Sequence, residues 1–411
     1  MGRFLLSIKL AWRNVLRNKR RTGLAGLAVG IGLAALIFSD ALMIGMGNNM
    51  IASATSSFLG EAQIHRRGFR ETGDVDLTVN RIEEVADALG KDSVVTHFTE
   101  RVVTGGMIAS ASNTSAVSLV GIDPVTEPDL SQIDEAIEAG EYLSGERGRQ
   151  ILIGAGLADL LEVGLGDRLV VTAAQAGTGD LGQQMFRVTG VFRFQVSELD
   201  KQMAFIPIDV AREMLSLGRN SHEIALRFTS TDIGRNGRHP FFTRHSGDGN
   251  EAVGWTTLLP QMEKALELTR FSTGIVGILL FGVVSLGIVN ALFMSLYERM
   301  FEFGVMRAIG THPAGMARLV VLEAASLAVI SCGIGALLGL AAVAITGVVG
   351  IDYTGIEFAG VTFRRLLYPV LRTEQFTLYP LSVFVFTLFV SLYPALFAAR
   401  LKPAEAMRRS L

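Results

Sequence analysis

The chain has 411 residues, a formal net charge of −2, 18% charged residues and 49% hydrophobic ones. Its one cysteine, Cys332, excludes an intramolecular disulfide and a cysteine metal cluster. Cations crowd the two ends, acids sit mostly in the middle, and the apolar residues gather in four stretches long enough to indicate a bilayer rather than a soluble core.

Residues 1–21 carry Arg3, Lys9, Arg13, Arg17, Lys19, Arg20 and Arg21. Between them Phe4, Leu5, Ile8, Trp12, Val15 and Leu16 recur at helical spacing, with Lys9, Arg13, Arg17 and Arg20 on the opposite face. This pattern predicts a basic amphipathic helix at a membrane surface. Residues 22–47 contain one charge, Asp40. Roughly 20 apolar residues span a bilayer, so this is a first transmembrane helix. Ala52-Ser-Ala54 resembles a signal cleavage site, but the apolar run exceeds the about 7–15 residues of a signal core. Gly26 and Gly30 form a small-xxx-small pair.

Residues 48–270 read as an α+β domain, expected to hold two subdomains. Asn80 and Glu83 suggest a capping box opening a helix over 80–89. Strands are predicted over 94–110, 115–122, 150–153, 168–172, 186–194, 202–206 and 223–228, with short helices near 154–162 and 208–217. The polar segment 231–250 reads as a flexible excursion. A helix near 258–270 runs into a second span at 271–297. A loop over 298–318 follows, then a third span at 319–350, longer than the bilayer needs. Ser331, Gly335 and Gly339 offer it a packing face. An outer loop (351–377), a fourth span (378–399) and a tail (400–411) complete the chain. Basic residues place both termini and the loop 298–318 on the cytoplasmic side, so the domain 48–270 lies outside, in the periplasm. The fold class is therefore a membrane protein of four transmembrane α-helices, arranged 1+3, with a large α+β periplasmic domain between the first and second.

Site chemistry is sparse. No G-x-x-x-x-G-K-[ST] phosphate loop, H-E-x-x-H or G-x-S-x-G occurs. Of six histidines only His239 and His245 are near each other, in the polar segment. Asp40 and Glu323 lie near span ends, where snorkelling is open to them. A 1+3 layout also lacks the inverted repeats of secondary transporters.

Four ordered segments carry a family resemblance. The loop Tyr297-Glu-Arg-Met-Phe-Glu-Phe-Gly-Val-Met-Arg-Ala-Ile-Gly310-Thr-His resembles the cytoplasmic loop of FtsX-like permeases. The ends Ala11-Trp-Arg-Asn-Val-Leu-Arg-Asn-Lys-Arg-Arg-Thr22 and Leu396-Phe-Ala-Ala-Arg400-Leu-Lys-Pro-Ala-Glu-Ala-Met-Arg408 resemble that family's termini. Gly154-Ala-Gly-Leu-Ala-Asp-Leu-Leu-Glu-Val-Gly-Leu-Gly166-Asp, the run Phe186–Phe192 and Met203-Ala-Phe-Ile-Pro-Ile-Asp209 resemble a MacB-type periplasmic core. The match is nearest the lipoprotein-releasing LolC/LolE permeases, type VII ABC transporters.

The resemblance implies a non-catalytic, dimeric inner-membrane permease that extracts lipoproteins toward the outer membrane by mechanotransmission. MacB-like export of peptides or drugs, and FtsX-like regulation of periplasmic partners, stay open as alternatives. It implies a separate LolD-like cytoplasmic ATPase holding ATP and Mg, with no cofactor or metal on this chain. A second permease subunit, a lipoprotein substrate and a periplasmic carrier are the other implied partners, with no nucleic acid. ATPase coupling falls to Glu298, Arg299, Phe301, Glu302, Phe303, Met306, Arg307 and Ile309. Leu36, Phe38, Leu42, Met43, Met46, Phe271, Ile275 and Ile278 are substrate-cavity candidates, equally explained as lipid-facing. Ala174, Gln175, Gly177 and Leu181 mark the carrier-loop position over 172–184; it lacks the family's flanking prolines and reads equally as a plain hairpin.

Overall fold

Four helices among the described residues are long and apolar enough to cross a membrane: Thr22–Leu59, Pro260–Glu298, Pro313–Val349 and Thr373–Arg400. The computed structural model describes residues 2–17, 19–144, 148–194, 197–354, 357–358, 361–362 and 366–400. The chain divides into a unit made of Met1–Asn48, Leu266–Asp352 and Leu366–Leu411, and a second made of Asn49–Ala265 and Tyr353–Arg365.

Among the described residues six helices lie wholly or mostly in the first unit: α1 (Gly2–Arg17), α2 (Lys19–Ala54), α3 (Pro260–Glu298), α4 (Met300–Ala308), α5 (Pro313–Val349) and α6 (Thr373–Arg400). At about 1.5 Å per residue, the 36 residues of α2 reach about 54 Å, well past a hydrocarbon layer of about 30 Å. Leu33, Ile37 and Ala41 of α2 meet Val284 and Ile288 of α3, Ala324 and Val343 of α5, and Val383 of α6 in one apolar core. Small residues bring α2 and α5 together. A Cβ on Gly335 would lie 2.8 Å from the Gly30 carbonyl oxygen, and one on Gly339 3.1 Å from Ile37. Close backbone approach of this kind is how helices gain packing energy where lipid competes equally for apolar side chains.

Asp40 and Glu323 do not snorkel. Asp40 accepts a 2.8 Å hydrogen bond from Gln375 Nε2, and Gln375 is itself buried. Glu323 is buried against Arg299 and Asn14. Partners within the bundle satisfy each carboxylate, so neither needs to reach water. Residues 313–318, expected in a loop, are the first turns of α5. His312 Nδ1 accepts from the Ala314 amide, and Pro313 sits at the first helical position, where its missing N–H costs nothing.

Among the described residues ten strands form the larger sheet of the second unit: β1 (Ala62–Arg66), β2 (Val95–Ala109), β3 (Thr114–Ile122), β4 (Ile137–Gly140), β5 (Gln150–Gly154), β6 (Arg168–Ala174), β7 (Leu181–Phe192), β8 (Met203–Pro207), β9 (Glu223–Phe228) and β10 (Asn250–Gly254). The order is β10-β1-β9-β2-β3-β8-β5-β7-β4, and β6 pairs with both β2 and β7. The circuit β2-β3-β8-β5-β7-β6 therefore closes on itself as a mixed barrel. Ile108, Leu119, Ile153, Val171, Phe186 and Ile206 fill it. A separate core under β1, β9 and β10 joins Ile64, Leu226 and Phe228 to Phe241 and Phe242.

Several sequence expectations fail here for local reasons. Asn80 caps no helix: its amide side chain donates to the Asp248 carbonyl, and the helix Ile82–Lys91 starts after Arg81 in a left-handed conformation. Segment 231–250 is folded rather than a free excursion. It holds the helices Thr231–Arg235 and Pro240–His245 and begins β10, because Phe241 and Phe242 are pulled into the core against Phe228. Strand β7 starts at Leu181, not 186, since its residues from Leu181 to Arg187 pair with the whole of β6. Strands β1, β4 and β10 are short and polar, and only their neighbours make them strands.

Candidate functional site

The end of α3 and the start of α5 enclose a short helix held by turn chemistry. Arg299 leaves helical geometry between α3 and α4. Gly310 has φ of 97°, the left-handed region that closes a helix without a Cβ clash. The Thr311 amide donates to the Met306 carbonyl at 2.9 Å, and Arg307 Nη1 donates to the Thr311 carbonyl at 3.1 Å.

The two faces of α4 differ. Met300 and Phe303 are buried with Leu296, Met316, Val320, Ala395 and Ala398, and Met306 packs against them. Phe301, Val305 and Ile309, spaced by four, are exposed at 51%, 38% and 78%. Spacing of four places them on one ridge.

An ionic chain fastens the inner side. Arg299 Nε donates to Glu302 Oε2 at 2.7 Å, and its Nη1 to Glu323 Oε1 at 2.6 Å. Asn14 Nδ2 of α1 donates to the same Glu323 oxygen at 2.8 Å, and Arg17 Nη2 to Glu302 Oε1 at 2.7 Å. Thus α1, α4 and α5 share one charge network. Burial alone lowers the Arg299 pKa, but Glu323 and Glu302 outweigh it and raise it above the ordinary guanidinium value. The hydrogen bond from Arg299, then that from Arg17, holds the Glu302 carboxyl below the usual carboxylate range. A cavity of about 210 Å³ opens beside this chain, with Asn14, Arg299 and Glu323 on its polar wall and Leu292, Val320 and Leu327 on its apolar one.

The eight expected coupling residues therefore divide. Phe301 and Ile309 face outward, Phe303 and Met306 inward, and Arg299 and Glu302 are tied into the network. Arg307 braces the turn, and Glu298 is exposed at the end of α3. Sequence reading missed Asn14, Arg17 and Glu323 as members. The available signal was Glu323 itself, a carboxylate in an apolar run that needed a cation.

The substrate-cavity candidates differ in exposure. Leu36 is buried and Phe38 packs on the bundle core, while Leu42, Met43 and Met46 are half-buried. Phe271, Ile275 and Ile278 are exposed at 67%, 45% and 74%. At the carrier-loop position, Ala174 ends β6 and Leu181 begins β7, 74% exposed. The hairpin tip is tied down: Gln175 Nε2 donates to the Met214 carbonyl and the Gly177 amide to Asp76 Oδ1 at 2.7 Å. His239 and His245 also have structural partners. His239 accepts from the Phe241 amide, and His245 Nε2 lies 3.2 Å from Asp92 Oδ2.

Comparison with known proteins places this geometry. Residues 22–233 match the MacB-like periplasmic core domain, and residues 274–403 the FtsX-like permease C-terminal model. The lipoprotein-releasing system transmembrane protein LolC of Xylella fastidiosa is 22% identical, over 98% of this chain and 98% of that one. LolE of Haemophilus influenzae is 22% identical over 97% and 98%. A macrolide export ATP-binding/permease protein, MacB 1 of Yersinia pestis, is 22% identical over all of this chain but 61% of its own length. Among solved structures, the periplasmic region of MacB from Actinobacillus actinomycetemcomitans aligns with 49% of this chain and 92% of its own, at 15% identity and a TM-score of 0.35.

Proposed function

Since the chain belongs to the FtsX-like, MacB-type permeases of ABC transporters, we propose that it is the non-catalytic membrane subunit of a lipoprotein-releasing machine in the bacterial inner membrane. Both termini face the cytoplasm and Asn49–Ala265 faces the periplasm. A separate LolD-like ATPase holds ATP and Mg, and a second permease subunit completes the pair. Lipoprotein is the favoured cargo because the LolC and LolE relatives run the length of this chain.

The observation that carries the reading is the two-sidedness of α4. Its ridge of Phe301, Val305 and Ile309 suits the apolar groove of a partner. Its other side is joined through Arg299 to Glu323 of α5 and through Glu302 to Arg17 of α1. A push on the ridge is thus delivered to a span through the buried Arg299–Glu323 pair and to α1 through the exposed Arg17–Glu302 pair. Work follows from ATPase closure moving the spans, with no substrate passing through the bundle.

The MacB relative supports a second reading, export of small molecules or peptides. The hairpin between β6 and β7 leaves it open, because its tip is tied to Met214 and Asp76. The test is reconstitution of the chain with its ATPase in proteoliposomes loaded with a triacylated lipoprotein and supplied with a soluble carrier. ATP-dependent release supports the proposal. ATPase stimulation by peptides with no release would favour export.

A further inference from the structure

Helix α1 has three faces. Ala11 is fully buried, and Ser7, Asn14 and Val15 on the same side are half-buried. This side packs on the start of α5, where Arg318 donates to Ser7 Oγ at 3.1 Å. A quarter-turn away Ile8, Trp12 and Leu16 are exposed at 38%, 43% and 42%. Beyond them Lys9, Arg13 and Arg17, also spaced by four, are exposed. No acidic residue precedes Asp40 in the sequence. Among the described residues no ion pair engages Lys9 or Arg13, and Arg17 pairs only with Glu302.

An apolar stripe beside a cationic row, on a helix joined to a membrane span, lies at the boundary of hydrocarbon and headgroup. The apolar stripe sets the depth, with Trp12 at the headgroup level. The cationic row then lies among the headgroup phosphates, with no carboxylate on its own helix to answer it. We propose that the Lys9–Arg13–Arg17 edge of α1 is a binding site for acidic phospholipid headgroups. Arg17 is shared. Its pair with Glu302 is 61% and 41% exposed, and an exposed ion pair exchanges readily for another anion. A lipid phosphate on Arg17 releases the tie between α1 and α4, while Glu302 keeps Arg299. Leaflet charge is thereby read at the helix assigned to ATPase coupling, a consequence that rests on the proposed function, whereas the lipid site does not.

The site is tested on the full purified chain, without any ATPase, in phosphatidylcholine nanodiscs doped with brominated phosphatidylglycerol or, at the same fraction, brominated phosphatidylcholine. Of the two tryptophans, the signal of Trp12 is what Trp12→Phe removes. The proposal expects brominated phosphatidylglycerol to quench it about twofold more strongly, and the Lys9→Gln/Arg13→Gln variant to lose that excess, each cation contributing about fivefold in affinity. Glu302→Gln frees Arg17 and should raise the preference further. Equal quenching by the two lipids overturns the site. An unchanged preference in Glu302→Gln overturns the sharing of Arg17. Competition by inorganic phosphate would mark a soluble-anion site and overturn the lipid assignment.

Discussion

Arg299 and Glu323 stand 24 residues apart in sequence and 2.6 Å apart in space, with side chains 12% and 9% exposed. A pair that buried is costly to break from one side, because the surviving charge keeps its desolvation penalty. Glu323→Ala should destabilise the folded chain by about 3–5 kcal/mol. Glu323→Gln, which preserves an acceptor for Asn14, should cost about 1–2 kcal/mol. Thermal unfolding in detergent ranks the two; equal losses would show that the acceptor kept for Asn14 contributes nothing and that the lost charge is the whole effect.

The two faces of α4 predict opposite phenotypes from neighbouring phenylalanines. Phe303 is 1% exposed, and Phe303→Ala should cost about 3–5 kcal/mol of stability. Phe301→Asp and Ile309→Asp, on the open ridge, should leave stability within about 0.5 kcal/mol. They should weaken ATPase capture at least about tenfold, as loss of an apolar anchor does. Copurification of the ATPase at wild-type yield with both ridge variants would remove the ridge as its docking surface.

Residue periodicity made the helices legible because each long apolar run has one physical solution in lipid. The central strands were legible for a similar reason: Val102, Leu119, Ile153 and Ile206 are apolar runs with nowhere else to go. What stayed hidden depended on partners distant in sequence. Strand β1, Ala62-Gln-Ile-His-Arg66, has no strand pattern of its own, and pairing with β9 and β10 creates it. The charged loop after Tyr297 could be picked out, but not which of its residues face in. Arg299 and Glu302 look like solvated loop charges until Asn14, Arg17 and Glu323, from two other helices, arrive beside them.

Gly333 and Gly335 are two residues apart on α5, and their surroundings differ. A Cβ at Gly333 meets nothing within 4 Å, whereas at Gly335 it would lie 2.8 Å from both the Gly30 carbonyl and Leu33. Backbone cannot give way as a flexible side chain can. Gly335→Ala should therefore cost about 1–3 kcal/mol through overpacking of α2 on α5, and Gly333→Ala nothing or less. The paired melting temperatures decide it, and identical values would rule out the close approach.

In the outer unit, Arg101 is fully buried. It donates to Glu127 at 2.6 and 3.0 Å, to Glu223 at 3.0 Å and to the Phe58 carbonyl at 2.6 Å, with its guanidinium 3.9 Å above the Phe58 ring. Burial pushes the Glu223 carboxyl up, against the pull of Arg101. Arg101→Ala strands two buried carboxylates and should cost about 3–5 kcal/mol. Replacing Arg101, Glu127 and Glu223 together by apolar residues of similar volume should recover most of that loss. Failure of the triple variant to recover would show that the network specifies the fold beyond its charge balance.

His65 gives the outer unit an acid-sensitive point. It is 1% exposed, and neither ring nitrogen makes a hydrogen bond. Burial, with the Arg70 charge adding to it, pushes its pKa down to about 4, and the Glu251 carboxylate 3.4 Å from Nδ1 does not reverse this. An unfolded histidine titrates near 6.5. Between pH about 6.5 and about 4 the unfolded chain therefore binds a proton that the folded chain refuses. Stability from His65 is complete above the unfolded value, falls as the pH drops through that window, and levels off below it. His222, also lowered by burial, acts in the same direction. Between pH 7 and 5 the His65 contribution should fall by about 2 kcal/mol. His65→Gln, which does not titrate, should lose correspondingly less than wild type over the same interval when unfolding is followed at both pH values. An acid loss equal in the two proteins would mean that His65 takes up its proton without unfolding.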